Sequence, residues 1–165
     1  MVNSLSAPRT YLFRGKRKDN GEWVYGSLIE DDEYCCILDP SKKGNWRFNY
    51  PCLDSKSGVI DGRAIPVDPE TVSRYIGGDD INDAKIFEGD IVRTYFRGGI
   101  GFENAIVVDI GCLIDCGDGR CWYPQDTIDV EVIGNIWDNF DMIPERSQRW
   151  VNSSFRRERV IDERI

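Results

Sequence analysis

Six cysteines, Cys35, Cys36, Cys52, Cys112, Cys116 and Cys121, are the residues of this chain best suited to chemistry. Three of them run as Cys112-x3-Cys116-x4-Cys121. Zinc takes four thiolate or imidazole ligands, typically from tight Cys-x2-Cys knuckles. These spacings are looser, and a fourth ligand would have to come from Cys35, Cys36 or Cys52. Cys116 and Cys121 flank Gly117-Asp118-Gly119 and can approach each other across a hairpin, but small buried thiols are the simpler reading. No metal and no cofactor is expected. The chain contains no histidine, so His-dependent triads, imidazole acid–base catalysis and His-containing zinc sites are all removed. A nucleophilic cysteine would have no imidazole to activate it.

Carboxylates are abundant, with 29 Asp and Glu against 21 Lys and Arg and a net charge of −8. An acidic chain makes carboxylate pairs by chance, and sugar hydrolysis needs two of them converging in a cleft. Asp79-Asp80-Ile81-Asn82-Asp83 is not an EF-hand loop, because Lys85 stands where that loop needs glycine. There is no Gly-Lys-Ser/Thr phosphate cradle, and Gly99-Ile100-Gly101 lacks the rest of a dinucleotide fingerprint. The expectation is a protein without catalytic residues.

Charge is laid out in blocks. Arg9 to Lys18 holds five basic residues and no acid; Gly98 to Glu145 holds ten acids against Arg120 alone; from Arg146 onward six Arg face three acids. Such blocks are ordinarily solvated faces or tails. The sharper reading is that a basic end docks on an acidic face, its own or a neighbouring subunit's. No apolar run approaches the ~20 residues that span a bilayer, and Met1 to Thr10 lacks the apolar core of a secretory signal. The expected location is therefore the cytoplasm, with no membrane contact.

The elements that position these residues read as strands. Lys18-Asp19-Asn20-Gly21 is a hairpin signal, Asn-Gly suiting the left-handed angles of a type I′ turn. It is followed by a strand over Glu22–Ile29 and another over Tyr34–Leu38. Asp68-Pro69-Glu70 suits a turn or a helix start; the β-formers Thr71 to Ile76 favour a strand after it. Lys85-Ile86-Phe87, Glu88-Gly89-Asp90 and Ile91-Val92-Arg93 read as strand, tight turn and strand, as where a small barrel folds one strand back onto its sheet. Further strands are expected at Ala105–Ile110, Leu113–Ile114 and Ile128–Ile136. No long helical period precedes residue 140. Many short strands between turns predict a mainly β fold of small antiparallel barrels or a sandwich, with a short helical C-terminal tail.

Three ordered blocks carry a family resemblance. Phe13-Arg14-Gly15-Lys16-Arg17 with Gly21-Glu22-Trp23-Val24-Tyr25-Gly26-Ser27-Leu28 is similar to the N-terminal hairpin of the YopX family of phage and prophage proteins. Val67-Asp68-Pro69-Glu70-Thr71-Val72 followed by Lys85 to Arg93 resembles that family's core. Glu131-Val132-Ile133-Gly134-Asn135-Ile136-Trp137-Asp138-Asn139 resembles its C-terminal signature. The resemblance spans about residues 11 to 143. It implies a mostly β, self-associating protein in a bacterial host, with no catalytic residues to carry over. The family tends to have a glycine-containing hairpin where this chain has Asp79 to Ala84.

The expected organisation is a disordered N-terminus at residues 1–9 and a β domain at 10–143, in parts 10–66 and 67–143. A basic tail at 144–165 follows. The function expected is non-enzymatic, through self-association or binding of a phage or host protein, with the tail docking on a neighbouring subunit. The alternative is a nucleic-acid-binding module. Candidate contacts are the alternating aromatics Trp46, Phe48 and Tyr50, near Lys42, Lys43 and Arg47, which could stack bases or line a core. In the tail they are Arg149, Trp150, Phe155, Arg156 and Arg157.

Overall fold

Asn20-Gly21 does reverse the chain, but with one left-handed residue instead of two. In the structure, a computed structural model, only Gly21 has positive φ (+74°) in this turn. Gly21 N donates to Arg17 O at 3.0 Å and Arg17 N to Glu22 O at 2.9 Å. The loop therefore spans Lys18–Gly21 and ends on a left-handed glycine, the arrangement longer hairpin loops use in place of type I′. Asn20 is engaged elsewhere: its Oδ1 accepts from Glu22 N at 3.0 Å. The structure describes residues 12–30, 34–41, 64–96, 101–109, 112–114, 121–122 and 127–155. The expected disordered N-terminus at 1–9 lies outside them.

The chain divides into two units, residues 1–74 and 75–165, each with its own core. In the first unit, strands β1 (Phe13–Lys16), β2 (Trp23–Glu30), β3 (Cys35–Leu38) and β4 (Ala64–Pro66) pair antiparallel in the order β4-β3-β2-β1. The first residues of β5 (Ser73–Asp79) join beyond β1, through Phe13↔Arg74 and Arg14↔Ser73. Alternation along β2 sends Val24 and Leu28 inward, where they meet Phe13, Cys35, Ile37, Val67 and Val72. Gly26 lies between them on the same face, so tight against β3 that a Cβ there would collide with Leu38 O.

The second unit is built on a five-stranded antiparallel sheet in the order β10-β9-β8-β7-β11. Its strands are β7 (Asp90–Phe96), β8 (Gly101–Asp109), β9 (Cys112–Ile114), β10 (Cys121–Trp122) and β11 (Thr127–Asn135). One face carries Val92, Ala105, Val107, Val130 and Val132 and is covered by Ile76 of β5 and Ile86 of β6 (Lys85–Phe87). The other carries Ile91 and Ile106, covered by Ile136, Ile143 and Val151. The fold is thus mainly β with layered, sandwich-like packing in this unit. Its edge strands β10 and β11 do not pair with each other, so the sheet is not closed into a barrel.

Strand, turn and strand are present at 85–96 and a short helix opens the tail, as expected; what the sequence left open is how they pack. β6 does not fold back on β7: it pairs with β5 through Tyr75↔Phe87 and Asp79↔Lys85, while β7 pairs with β8 and β11. The Glu88-Gly89-Asp90 turn is therefore a corner that hands the chain from one sheet to the other. The first half of the tail is helix α1 (Glu145–Ser154), and it docks on its own unit. Val151 is fully buried, with Trp150 and Phe155 packed beside it. Before residue 140, the described residues contain no α-helix, only a single 3-10 turn at Pro69–Thr71.

Candidate functional site

The three motif blocks are spent on holding backbone. Asp68 Oδ1 accepts from Glu70 N at 3.1 Å, starting the 3-10 turn. Asp68 N donates to Lys16 O at 2.8 Å, and Lys16 N to Thr71 Oγ1 at 2.8 Å, which welds the turn to β1. At the corner, Gly89 has φ +78° and a Cβ there would meet the Trp137 ring at 2.5 Å. Its N–H donates to Val107 O at 2.7 Å and its carbonyl accepts from Ile136 N at 2.9 Å. Asp90, fully buried, accepts from Phe87 N at 2.8 Å. In the C-terminal block Asn135 Oδ1 accepts from Trp137 N and Asp138 N, both at 3.0 Å, and Asn139 Oδ1 from Asn135 N at 3.1 Å.

Asp80 is used the same way. Its carboxylate accepts from Asn82 N at 2.7 Å, Ala84 N at 2.9 Å and Val132 N at 3.0 Å. Burial pushes its pKa up, but these three backbone donors outweigh it and hold the group below the usual carboxylate value. It is a charged acceptor fixed in place, unsuited to taking up a proton near neutral pH. Of the cysteines, Cys35 and Cys36 are buried and not disulfide-bonded. Burial, with the Glu30 charge next, pushes the Cys35 thiol up to about 11. No cluster of three metal-ligating side chains occurs among the described residues. Cys52 and Cys116 lie outside those residues.

What remains as a candidate is the outer face of the first sheet. Directly opposed residues on antiparallel strands share a face, so Lys16↔Trp23 and Arg14↔Tyr25 place two cations and two aromatics together. Arg14 Cζ sits 4.7 Å from the Trp23 ring centroid and Lys16 Nζ 5.4 Å. Both are within reach of the ring quadrupole. Arg14 is only 6 % exposed, and its Nε donates to Ser73 Oγ at 2.9 Å, which fixes the guanidinium between β1 and β5. Tyr25, at 48 % exposure, and Ile29, at 41 %, continue the same face outward along β2. The result is a face on which two cationic side chains stack on one indole ring.

The second unit has a charged face of its own. On the face of the five-stranded sheet that bears Ile91, the next outward positions are Arg93 and Tyr95. Glu131 lies opposite Arg93 and Asp129 opposite Tyr95. Arg93 Nη1 meets Glu131 Oε2 at 2.9 Å and its Nε lies 3.5 Å from Glu103 Oε1. Tyr95 is 48 % exposed. Two carboxylates, Glu103 and Glu131, pair with the one guanidinium, and Asp129 lies one register position further along.

Of the residues the sequence singled out, Trp46, Phe48, Tyr50, Arg156 and Arg157 lie outside the described residues. Arg149 is exposed on α1. Trp150 and Phe155 meet edge to face at 6.0 Å, and Phe155 meets Trp137 likewise at 6.3 Å, all against the core of their own unit. Sequence reasoning missed the Arg14–Lys16–Trp23–Tyr25 platform. The signal was present: Arg-x-Lys before a hairpin turn and Trp-x-Tyr after it must face each other once the register is set.

The chain is mainly β, and its described motif residues pin backbone. It belongs to the YopX family, since the model described as YopX protein matches residues 12–143. A search of the curated proteins finds no significant match. No helix among the described residues is long and apolar enough to cross a membrane.

Proposed function

We propose that this chain is a phage- or prophage-derived protein that acts by binding, foremost to copies of itself, and performs no bond chemistry. The observation that carries the reading is the use made of its ionisable motif residues: Asp68, Asp80 and Asp90 all accept backbone N–H groups. The lack of histidine and the raised Cys35 thiol support it. Residues 145–155 belong to the chain's own core, so a tail that reaches a neighbour would do so through 156–165. Native mass spectrometry of the full chain tests the reading. Masses above one chain are expected, and a single-chain mass throughout the micromolar range overturns it.

The face of β1 and β2 also supports a second reading, single-stranded nucleic acid stacked on Tyr25 with Lys16 nearby. A net charge of −8 weighs against it, because the field of the whole molecule repels polyanions. Gel-shift titration of an oligothymidylate at two salt concentrations separates the readings, since phosphate contacts weaken as salt rises.

A further inference from the structure

We propose that Asn20-Gly21 is a site of self-modification, at which the asparagine amide is lost through a cyclic imide, and that the closed β1–β2 loop protects it. The reaction is independent of what the protein binds, and its only co-reactant is water. The Gly21 backbone nitrogen attacks Asn20 Cγ. A new C–N bond closes a succinimide, the Cγ–Nδ2 bond breaks, and ammonia leaves with the proton that the Gly21 nitrogen gives up. Water then adds to either imide carbonyl. Opening at one leaves aspartate at position 20; opening at the other leaves isoaspartate, with the main chain routed through the side-chain carbon.

The sequence supplies the reactive pair. Asparagine is a thermolabile side chain, and a side chain on the residue after it would hinder the attack. Gly21 has none, and its Cβ position is open space. Lys18 to Glu22 are all exposed, so water reaches the loop. The hydrogen bonds supply the protection. The nucleophile is occupied, because Gly21 N donates to Arg17 O at 3.0 Å. The electrophile is held at both ends: Asn20 Oδ1 accepts from Glu22 N at 3.0 Å, and Nδ2 donates to Glu22 Oε2 at 2.7 Å. Arg17 is itself pinned by Asp19, Nε to Oδ1 at 2.9 Å and Nη2 to Oδ2 at 2.6 Å. These bonds have to be released for Gly21 N to lose its proton and turn onto Cγ. The folded chain therefore reacts through local opening of the loop.

The product does not restore the closed loop. Aspartate at 20 sets a carboxylate against the Glu22 carboxylate, where an N–H donor stood. Isoaspartate lengthens the main chain within the loop. Either change is one-way and falls on the turn that fixes the β1–β2 register.

The test follows the full chain at mildly alkaline pH in water enriched in heavy oxygen, folded and in concentrated urea. Trypsin releases peptide 19–42, in which Asn20 is the only side-chain amide. In urea this peptide should take up heavy oxygen and split into aspartate and isoaspartate forms. Folded chain should convert about ten-fold or more slowly, by the free energy of opening the loop. Glu22→Ala removes the acceptor of Asn20 Nδ2. It should speed conversion of the folded chain several-fold and leave the rate in urea nearly unchanged, with far-UV circular dichroism confirming the fold. No conversion in urea would show that the site is not labile, and equal rates in urea and in the folded chain would show that the loop does not protect it; either result overturns the proposal. A folded Glu22→Ala chain that converts no faster than wild type overturns the protection assigned to the Glu22 contact.

Discussion

Asp80 shows how much a single side chain holds here. Three backbone donors converge on one carboxylate, two from its own loop and one from β11. Since its folded pKa lies below the ordinary value, the charged form is preferred in the folded state. The stabilisation is complete above the unfolded pKa of about 4 and disappears as pH falls through the folded value. In Asp80→Asn an amide NH2 must face at least one of these N–H groups, so a donor meets a donor. The expected cost is ~1–3 kcal/mol at pH 7 by urea unfolding. The gap between wild type and variant should narrow below about pH 4; a gap that is constant down to pH 3 rules out this account. Two glycines separate space from angle. Gly21 (φ +74°) has open space around it, so Gly21→Ala should cost only the ~1–2 kcal/mol of a left-handed alanine. Gly26 is blocked by Leu38 O, so Gly26→Ala must wedge β2 from β3. Thermal melts should place it well below Gly21→Ala.

At the scale of elements, α1 is held by its apolar side and not by its caps, because Pro144 gives no side-chain cap. Val151→Ala should cost about 2 kcal/mol. Truncation after Pro144 should melt several degrees below truncation after Phe155. Equal melts for the two truncations would mean that the helix adds nothing. Most of the strands were legible, because alternation at Val24, Gly26 and Leu28 and the glycine turns are local signals. Asp68-Pro69-Glu70 supported both of its readings: the carboxylate starts one 3-10 turn, and a strand follows at Ser73. What was not legible depends on long-range partners. Nothing near Gly89 states that β6 and β7 belong to different sheets; that is decided by Val107 and Ile136, which hold Gly89 from elsewhere. The tail's charge drew attention to its arginines, while Val151, Trp150 and Phe155 decided where the helix sits. The Trp23 platform needed the hairpin register before its four residues could be seen together.

At the scale of the molecule, the cores of the two units share no residue, and the division falls inside β5, between Arg74 and Tyr75. The sequence had suggested residue 66. Separate cores predict separable unfolding. In calorimetry, Ile37→Ala should lower one transition and Ile106→Ala another; one transition shifted equally by both would show that the units melt together.

The loop from Asp80 to Ala84 has a consequence for how the protein keeps. β11 is the margin of its sheet, and its outward main-chain groups at Val130 and Val132 are occupied by Ile81 N and the Asp80 carboxylate. A margin closed in part by an ionised side chain is closed most firmly while that side chain is ionised. In strong acid the Asp80 carboxyl keeps an accepting oxygen but loses its charge, so its hold on Val132 N–H weakens and β11 is less well guarded against a strand from another molecule. Storage at low pH is then the condition that most exposes this edge.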